Sequence, residues 1–349
     1  MEVPAAAWYL VSEEGEVLAE RRARERRAIA SITKLMTAIV TLEHARLSEV
    51  VTVAPRSARI GESSAFLRTG EQLPVSTLLR AMLVASANDA ADALAVHVGR
   101  GSSDRFVALM NAKARELGLD ETIFGNAHGL DEPGHVSSAE DATALVRYAL
   151  GIAFIRDALD RSSVELSGGR ELSTTDDLLE SWPPLIGGKT GHTADAGWSQ
   201  AAAARARGIT VYGSVLGSGS RSARNEALVQ LLSYGLGQYH RVATIATSRV
   251  YAESETGYDE PAVELVATRT IVRTVRKGKP LLERVVAPGV VELPVRRGQR
   301  LGRVEIYDGK RLIASSQLVA SESVSEPSRL EKSIWYARRT AANLWGLVT

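Results

Sequence analysis

Ser31 and Lys34 stand three residues apart in "AIASITKLMTAIV", residues 28–40, a stretch otherwise built from residues that a buried helix accepts. Positions i and i+3 of a helix share a face, so this hydroxyl and this amine can meet. Serine is a weak nucleophile until a base takes its proton, and a neutral lysine can be that base. Lysine's reference pKa is about 10.4, so burial or a neighbouring cation must first lower it. A helix beginning at Ser31 would also favour negative charge on the serine oxygen. The plain alternative is a capping serine followed by a lysine that snorkels to water.

Composition and two further stretches favour the chemical reading. Only seven of the 42 basic residues are lysine, at 34, 113, 189, 277, 279, 310 and 332. Generic positive charge is written here as arginine, which unlike lysine does not lose its proton on burial. Ser31 and Lys34 form the only Ser-x-x-Lys in the chain. Ser86-Ala87-Asn88 follows 52 positions after Lys34, between two apolar helical runs. Lys189-Thr190-Gly191 follows 101 positions after Asn88, on a predicted strand. Each motif alone is weak, but the three in this order form a strong combined signal. Glycine at 191 would let a substrate backbone lie along the strand.

The elements that must position these groups can be read from periodicity. "AWYLVSEEGEVLAER" predicts a hairpin, and a helix is expected from about Ser31 to Ala45. "EVVTVAP" reads as a short strand, and Pro74-Val75-Ser76 opens an amphipathic helix. More helices follow, one of them capped near Ser137 and Ser138. "PPLIGGKTGHT" and "AGWSQAAAARARGITVYGSVLG" predict three adjacent strands, and "RNEALVQLLSYGLGQY" a final helix. A strand pair, many helices, a strand triplet and a helix imply one sheet made from the two ends of the domain. After about residue 248 the chain turns Val- and Thr-rich and alternating, which predicts a small all-β domain. In residues 329–349, Leu330, Ile334, Ala337, Ala341, Leu344, Trp345 and Val348 recur at helical spacing, with Lys332, Arg338, Arg339 and Trp335 alongside. That pattern suits an interfacial helix on an anionic membrane; a helix docked on its own protein or in a dimer is the alternative.

Bulk properties exclude several classes. A net charge of +1 over 349 residues argues against nucleic acid as partner. The lack of cysteine removes disulfides, iron–sulfur clusters and a thiol nucleophile. His44, His97 and His240 are expected on helix faces, and no His-Glu-x-x-His predicts zinc. No Gly-x-Ser-x-Gly elbow predicts an α/β-hydrolase triad. No metal and no cofactor are expected. "MEVPAAAWYL" lacks a basic and long apolar leader, so the protein is either cytosolic or begins after a removed signal. No run of 18 apolar residues predicts a membrane span.

With "SITKLMTA", "GESSAFLRTGEQLPVSTLLRAMLVASANDAADALA", "HGLDEPGHVSSAED" and "KTGHTADAG" in order, the chain resembles the serine D-alanyl-D-alanine carboxypeptidases, the low-molecular-mass penicillin-binding proteins. The likeness runs through most of residues 5–245, and the β-rich part and terminal helix match that family's layout. The resemblance implies an α/β (α+β) fold: a penicillin-binding-protein/serine β-lactamase-like domain with a central antiparallel sheet and helices on both sides. Expected bounds are 1–247 for this peptidase domain, 248–325 for the β-rich domain and 326–349 for the amphipathic helix.

On roles, the resemblance implies that Ser31 attacks the penultimate D-alanine of a peptidoglycan stem peptide, with Lys34 as proton acceptor. Lys189 and Ser86 would form a second proton path to the leaving amine, and Asn88 would hold Lys34 and the substrate amide. Backbone N–H groups of Ser31 and His192 would form the oxyanion hole. Thr190 and Arg224 would receive the terminal carboxylate, beside Gly191. Two lysines near one serine would each disfavour the other's charge. β-Lactams would act as inhibitors, and the enzyme would work exported, at the outer face of the bacterial cytoplasmic membrane. Ile29-Ala30 replaces the family's Pro-Ala before the serine, and "LSTTDDLLE" replaces its asparagine-rich stretch, which puts that loop's contacts in question. His128 fits a family loop, where it either fixes the loop or acts in the site. A class A β-lactamase, a D,D-endopeptidase and a non-enzymatic or slow-turnover penicillin-binding sensor or scaffold share the motifs. The first lacks a Glu-x-x-Leu-Asn here, and it and the endopeptidase usually lack the β-rich domain.

Overall fold

A computed structural model describes residues 2–345, which separate into two compact units, 1–238 and 239–349. In the first unit the chain opens with β1 (Ala7–Ser12) and β2 (Val17–Arg21), the expected hairpin. A 3-10 turn, Ala30–Thr33, leads into α1 (Lys34–His44). Then come β3 (Val50–Thr52), β4 (Gln72–Pro74), α2 (Val75–Val84), α3 (Asn88–Val98) and α4 (Ser103–Glu116). α5 (Ala139–Gly151), α6 (Ala153–Leu159), β5 (Ser163–Leu166), β6 (Arg170–Ser173) and α7 (Leu178–Ser181) follow. β7 (Leu185–Thr193), β8 (Gly197–Ala206), β9 (Ile209–Ser218) and α8 (Arg221–Gly237) complete the unit.

The main sheet has the order β2-β1-β9-β8-β7, with every neighbouring pair antiparallel. It is therefore made from both ends of the unit, as the element order implies. β8 carries four consecutive alanines, Ala201–204, all buried, because helices cover both faces of the sheet. One face packs against the cluster that includes Leu35, Met36, Ile39, Leu78, Leu94 and Phe106, and the other against Leu228, Leu231 and Leu232 of α8. Each such fully buried aliphatic side chain contributes about 1.5–3 kcal/mol through removal from water. Ser138 caps α5 by accepting the Asp141 N–H at 3.1 Å.

The second unit begins earlier than the change in composition. β10 (Tyr239–Ile245) pairs antiparallel with β13 (Ile271–Arg276), so the residues after α8 already belong to it. This strand also carries His240, which is on no helix. β11 (Val250–Ser254), β12 (Val263–Ala267), β14 (Leu282–Val286), β15 (Arg300–Asp308) and β16 (Arg311–Ala320) form a sheet of order β11-β12-β16-β15-β14. α9 (Arg329–Trp345) follows.

Within the second unit, Trp335 of α9 lies half-buried with its ring centroid 5.2 Å from that of Tyr258. Lys332 lies over the Tyr258 ring at 5.1 Å and Arg339 over the Trp335 ring at 4.8 Å. Leu330, Ile334, Ala337 and Ala341 are exposed. The Leu344 and Trp345 side chains and Val348, also expected on that face, lie outside the described residues. Among the described residues no helix is long and apolar enough to cross a membrane.

Candidate active site

The short turn at the start of α1 differs from the continuous helix that the spacing predicts. Ser31 sits in the 3-10 segment and Lys34 is the first residue of α1. In a 3-10 turn positions i and i+3 eclipse one another, so the two side chains lie closer than on an α-helix. Lys34 Nζ is 2.6 Å from Ser31 Oγ. The turn is entered through Ala30 in a left-handed conformation, φ +48°. A non-glycine residue so held stores backbone strain beside Ser31.

Lys34 is fully buried and has two further neighbours, Asn88 Oδ1 at 2.7 Å and the His128 carbonyl at 2.6 Å. Both are acceptors only. A neutral amine has two N–H bonds and one lone pair. It can donate to these two oxygens while its lone pair faces the Ser31 hydroxyl. Burial, then the nearby charge of Lys189, pushes the Lys34 pKa well below the ordinary lysine range. Burial has done the same to Lys189, down to about 7, with Arg224 lowering it further and Asp176 opposing.

Lys189, on β7, donates to Ser86 Oγ at 3.1 Å and to the Thr190 carbonyl at 3.1 Å. Ser86 ends the α2–α3 junction in a left-handed conformation, φ +60°. Asn88 is the first residue of α3; its Nδ2 donates to the Gly61 carbonyl at 2.9 Å. Thr190 Oγ1 lies 2.7 Å from Thr175 Oγ1. The stretch "STTDD" thus lies against the Lys-Thr-Gly strand, and Asp176 accepts from Gln200 Nε2 at 2.6 Å.

Gly191 serves the fold before it serves any ligand. A Cβ there would stand 2.8 Å from the Ile29 carbonyl and 3.1 Å from the Ser31 nitrogen. Absence of a side chain lets β7 press on the backbone of Ile29 and Ser31, a use additional to the substrate contact expected from sequence. Gly129 does the same from the other side: a Cβ would stand 2.1 Å from the Ala30 carbonyl. The loop that offers the His128 carbonyl can therefore reach Lys34.

These groups open on one cavity of about 590 Å³, whose lining includes Ser31, Ser86, Asn88, Thr190, Gly191, His192 and Arg224. Lys34 and Lys189 are buried behind it. His192 stacks on Trp198, its strand partner, with centroids 4.0 Å apart. Arg224 lies in the first turn of α8, buried, with its Nε on Asn225 Oδ1 at 3.0 Å and its Nη2 3.4 Å from Asp177 Oδ2. Arg221 lines the same cavity and also pairs with Asp177. The His128 ring fixes its loop by accepting the Leu130 N–H at 3.2 Å, and burial beside Lys34 lowers its pKa to about 4. Glu62 lines the same cavity. Sequence reasoning missed it, the His128 carbonyl, the clamp of Thr175 on Thr190, and Asp176. A backbone oxygen leaves no mark in residue types, and "STTDD" registers in the sequence only as a departure from a pattern.

A serine within reach of a buried lysine, a Ser-x-Asn junction and a Lys-Thr-Gly strand on this sheet define the penicillin-binding class of active-site serine proteins. The architecture matches penicillin binding protein 5 from Haemophilus influenzae, with TM-score 0.68 and 26% identity over 93% of this chain and 99% of that one. It also matches the Streptomyces K15 DD-transpeptidase, with TM-score 0.65 and 29% identity over 68% of this chain and 98% of that one. Residues 1–220 match the peptidase S11 family profile, described as D-alanyl-D-alanine carboxypeptidase, and the chain belongs to that family. Among its relatives, D-alanyl-D-alanine carboxypeptidase DacC of Escherichia coli (strain K12) is 31% identical over 348 residues, covering 93% of this chain and 85% of that protein. D-alanyl-D-alanine carboxypeptidase DacF of Bacillus subtilis (strain 168) is 29% identical over 325 residues, 89% of this chain and 83% of that protein.

Proposed function

We propose that this protein is a serine D,D-carboxypeptidase that removes the terminal D-alanine from peptidoglycan stem peptides and is acylated by penicillin. The observation that carries the reading is Lys34 Nζ, 2.6 Å from Ser31 Oγ with its other two neighbours pure acceptors. Ser31 Oγ attacks the carbonyl carbon of the penultimate D-alanine as its proton passes to Lys34. The developing oxyanion takes hydrogen bonds from the Ser31 and His192 N–H groups. Protonated Lys189, through Ser86 Oγ, supplies the proton that leaves with the D-alanine amine. Thr190 and Arg224 hold the departing residue's carboxylate. Water then hydrolyses the acyl-enzyme, with the serine proton returned. A penicillin follows the same first step, but its leaving amine stays tethered.

Release of D-alanine from diacetyl-L-lysyl-D-alanyl-D-alanine tests this directly. Turnover with transient penicillin labelling is expected. Stable labelling without D-alanine release would make the protein a sensor, and rapid penicillin hydrolysis would make it a β-lactamase.

The same reading places the enzyme outside the cell at an anionic membrane surface, with residues 326–349 as its anchor. Two features support it. Leu330, Ile334, Ala337 and Ala341 are uncovered along α9. Residues 239–349 hold 18 basic and 12 acidic side chains, against 24 and 29 in residues 1–238, so positive charge is concentrated in the unit that carries the helix. Truncation after Val324 is expected to abolish co-sedimentation with liposomes containing anionic lipid and to leave soluble D-alanine release intact. Undiminished binding would sink the anchor.

A further inference from the structure

We propose that Glu62 reads a cationic side chain on the residue just before D-alanyl-D-alanine, so that the enzyme prefers stem peptides with a free ammonium there. The inference rests on the carboxypeptidase reading and adds a specificity-determining residue to it. Glu62 is the sole carboxylate among the described residues that line the cavity containing Ser31. Other acids around the cavity are engaged. Asp177 is taken by Arg221 and Asn225, Asp176 by Gln200 and the Leu178 N–H, and Asp131 by Thr193 and the Asp195 N–H. The Glu62 carboxylate has no hydrogen bond or ion pair among the described residues.

Its position is fixed all the same. Asn88, which accepts from Lys34, grips the chain on both sides of Glu62: Nδ2 donates to the Gly61 carbonyl at 2.9 Å, and the backbone N–H to the Ser63 carbonyl at 2.8 Å. Buried Asp89 holds the following residues, accepting from Ser64 Oγ at 2.7 Å and from the Ala65 and Leu67 N–H groups. Between these anchors Glu62 has φ +64°, a conformation that glycine adopts without cost and glutamate does not. An unpartnered carboxylate on a backbone anchored at both sides, at the mouth of a site, is placed for a ligand. Its charge also reaches Lys34, where it favours the protonated amine and so opposes the neutral base. A substrate ammonium beside Glu62 cancels that field once bound. The cavity then matches both charges of its peptide, with arginine for the terminal carboxylate and Glu62 for the ammonium upstream.

The test compares Nα-acetyl-L-lysyl-D-alanyl-D-alanine, which keeps its ε-ammonium, with the Nα,Nε-diacetyl peptide. At low ionic strength the free-amine peptide is expected to show a KM lower by about threefold, the size of an exposed ion pair. Added salt should shrink the ratio. Glu62→Gln should bring it to about one, and Glu62→Lys should invert it. Equal KM values in the parent, or an unchanged ratio in Glu62→Gln, would overturn the proposal. The ratio is also readable as competition of each peptide with penicillin labelling of Ser31. A protein that releases no D-alanine would refute the carboxypeptidase reading and still report on Glu62.

Discussion

Ser31→Ala is expected to eliminate covalent penicillin labelling and to lower D-alanine release by on the order of 10⁴-fold or more. The hydroxyl is the only atom lost, and of the buried groups only the Lys34 lone pair loses its partner. Lys34 keeps Asn88 Oδ1 at 2.7 Å and the His128 carbonyl at 2.6 Å. Thermal stability should therefore stay within about 1 kcal/mol of the parent, as for a small substitution without a cavity or stranded charge. Fluorescent penicillin on a denaturing gel and a D-alanine assay read the two losses. A variant that keeps a hundredth of parental turnover would mean that Ser31 is not the nucleophile.

Lys34→Arg should cost about 10²–10⁴-fold in the acylation rate, the usual worth of a positioned general base. A guanidinium can still donate to Asn88 and the His128 carbonyl, but it stays charged and cannot accept the serine proton. Lys34→Gln guards against misfolding as the cause, because its amide keeps a donor near Asn88 without supplying a base. The parental pH profile carries the sign. In the proposed mechanism neutral Lys34 is the active form, so acylation is expected to rise with pH through its lowered pKa. Protonated Lys189 assists departure, so its loss near pH of about 7 should pull the rate down on the alkaline side. An acylation rate that climbs only where ordinary lysine titrates would contradict the neutral base, and so would a Lys34→Arg variant acylated at the parental rate.

The contact of Ser31 with Lys34 could be read from sequence because it is local: three residues of spacing decide it whether the turn is α or 3-10. The sheet could be read because glycine, alanine and alternation mark β7, β8 and β9 strongly. Lys189 was visible through the scarcity of lysine as well as its motif. What escaped was supplied by atoms that any residue type would present, or by long-range closure. The His128 carbonyl would be there with another side chain at 128. The β5–β6 hairpin is two four-residue strands whose existence depends on each other. β10 was not legible because its partner, β13, lies about thirty residues ahead, so the sequence around "YHRVATI" does not show what it pairs with. Arg224 was placed at the cavity from its helix, but its engagement with Asn225 and Asp177 follows from tertiary packing.

The interior position of β1, between β2 and β9, has a consequence in time. Residues 7–12 pair with β9, residues 209–218, some two hundred residues downstream. A chain made from its N-terminus carries β1 with one edge open until nearly the whole first unit exists. Such distant pairing is slow to form. The serine at 31 and the lysine at 189 are likewise separate until the sheet closes. On the proposed mechanism acylating power is therefore acquired late and all at once, and a partly synthesised chain carries Ser31 without the lysine at 189.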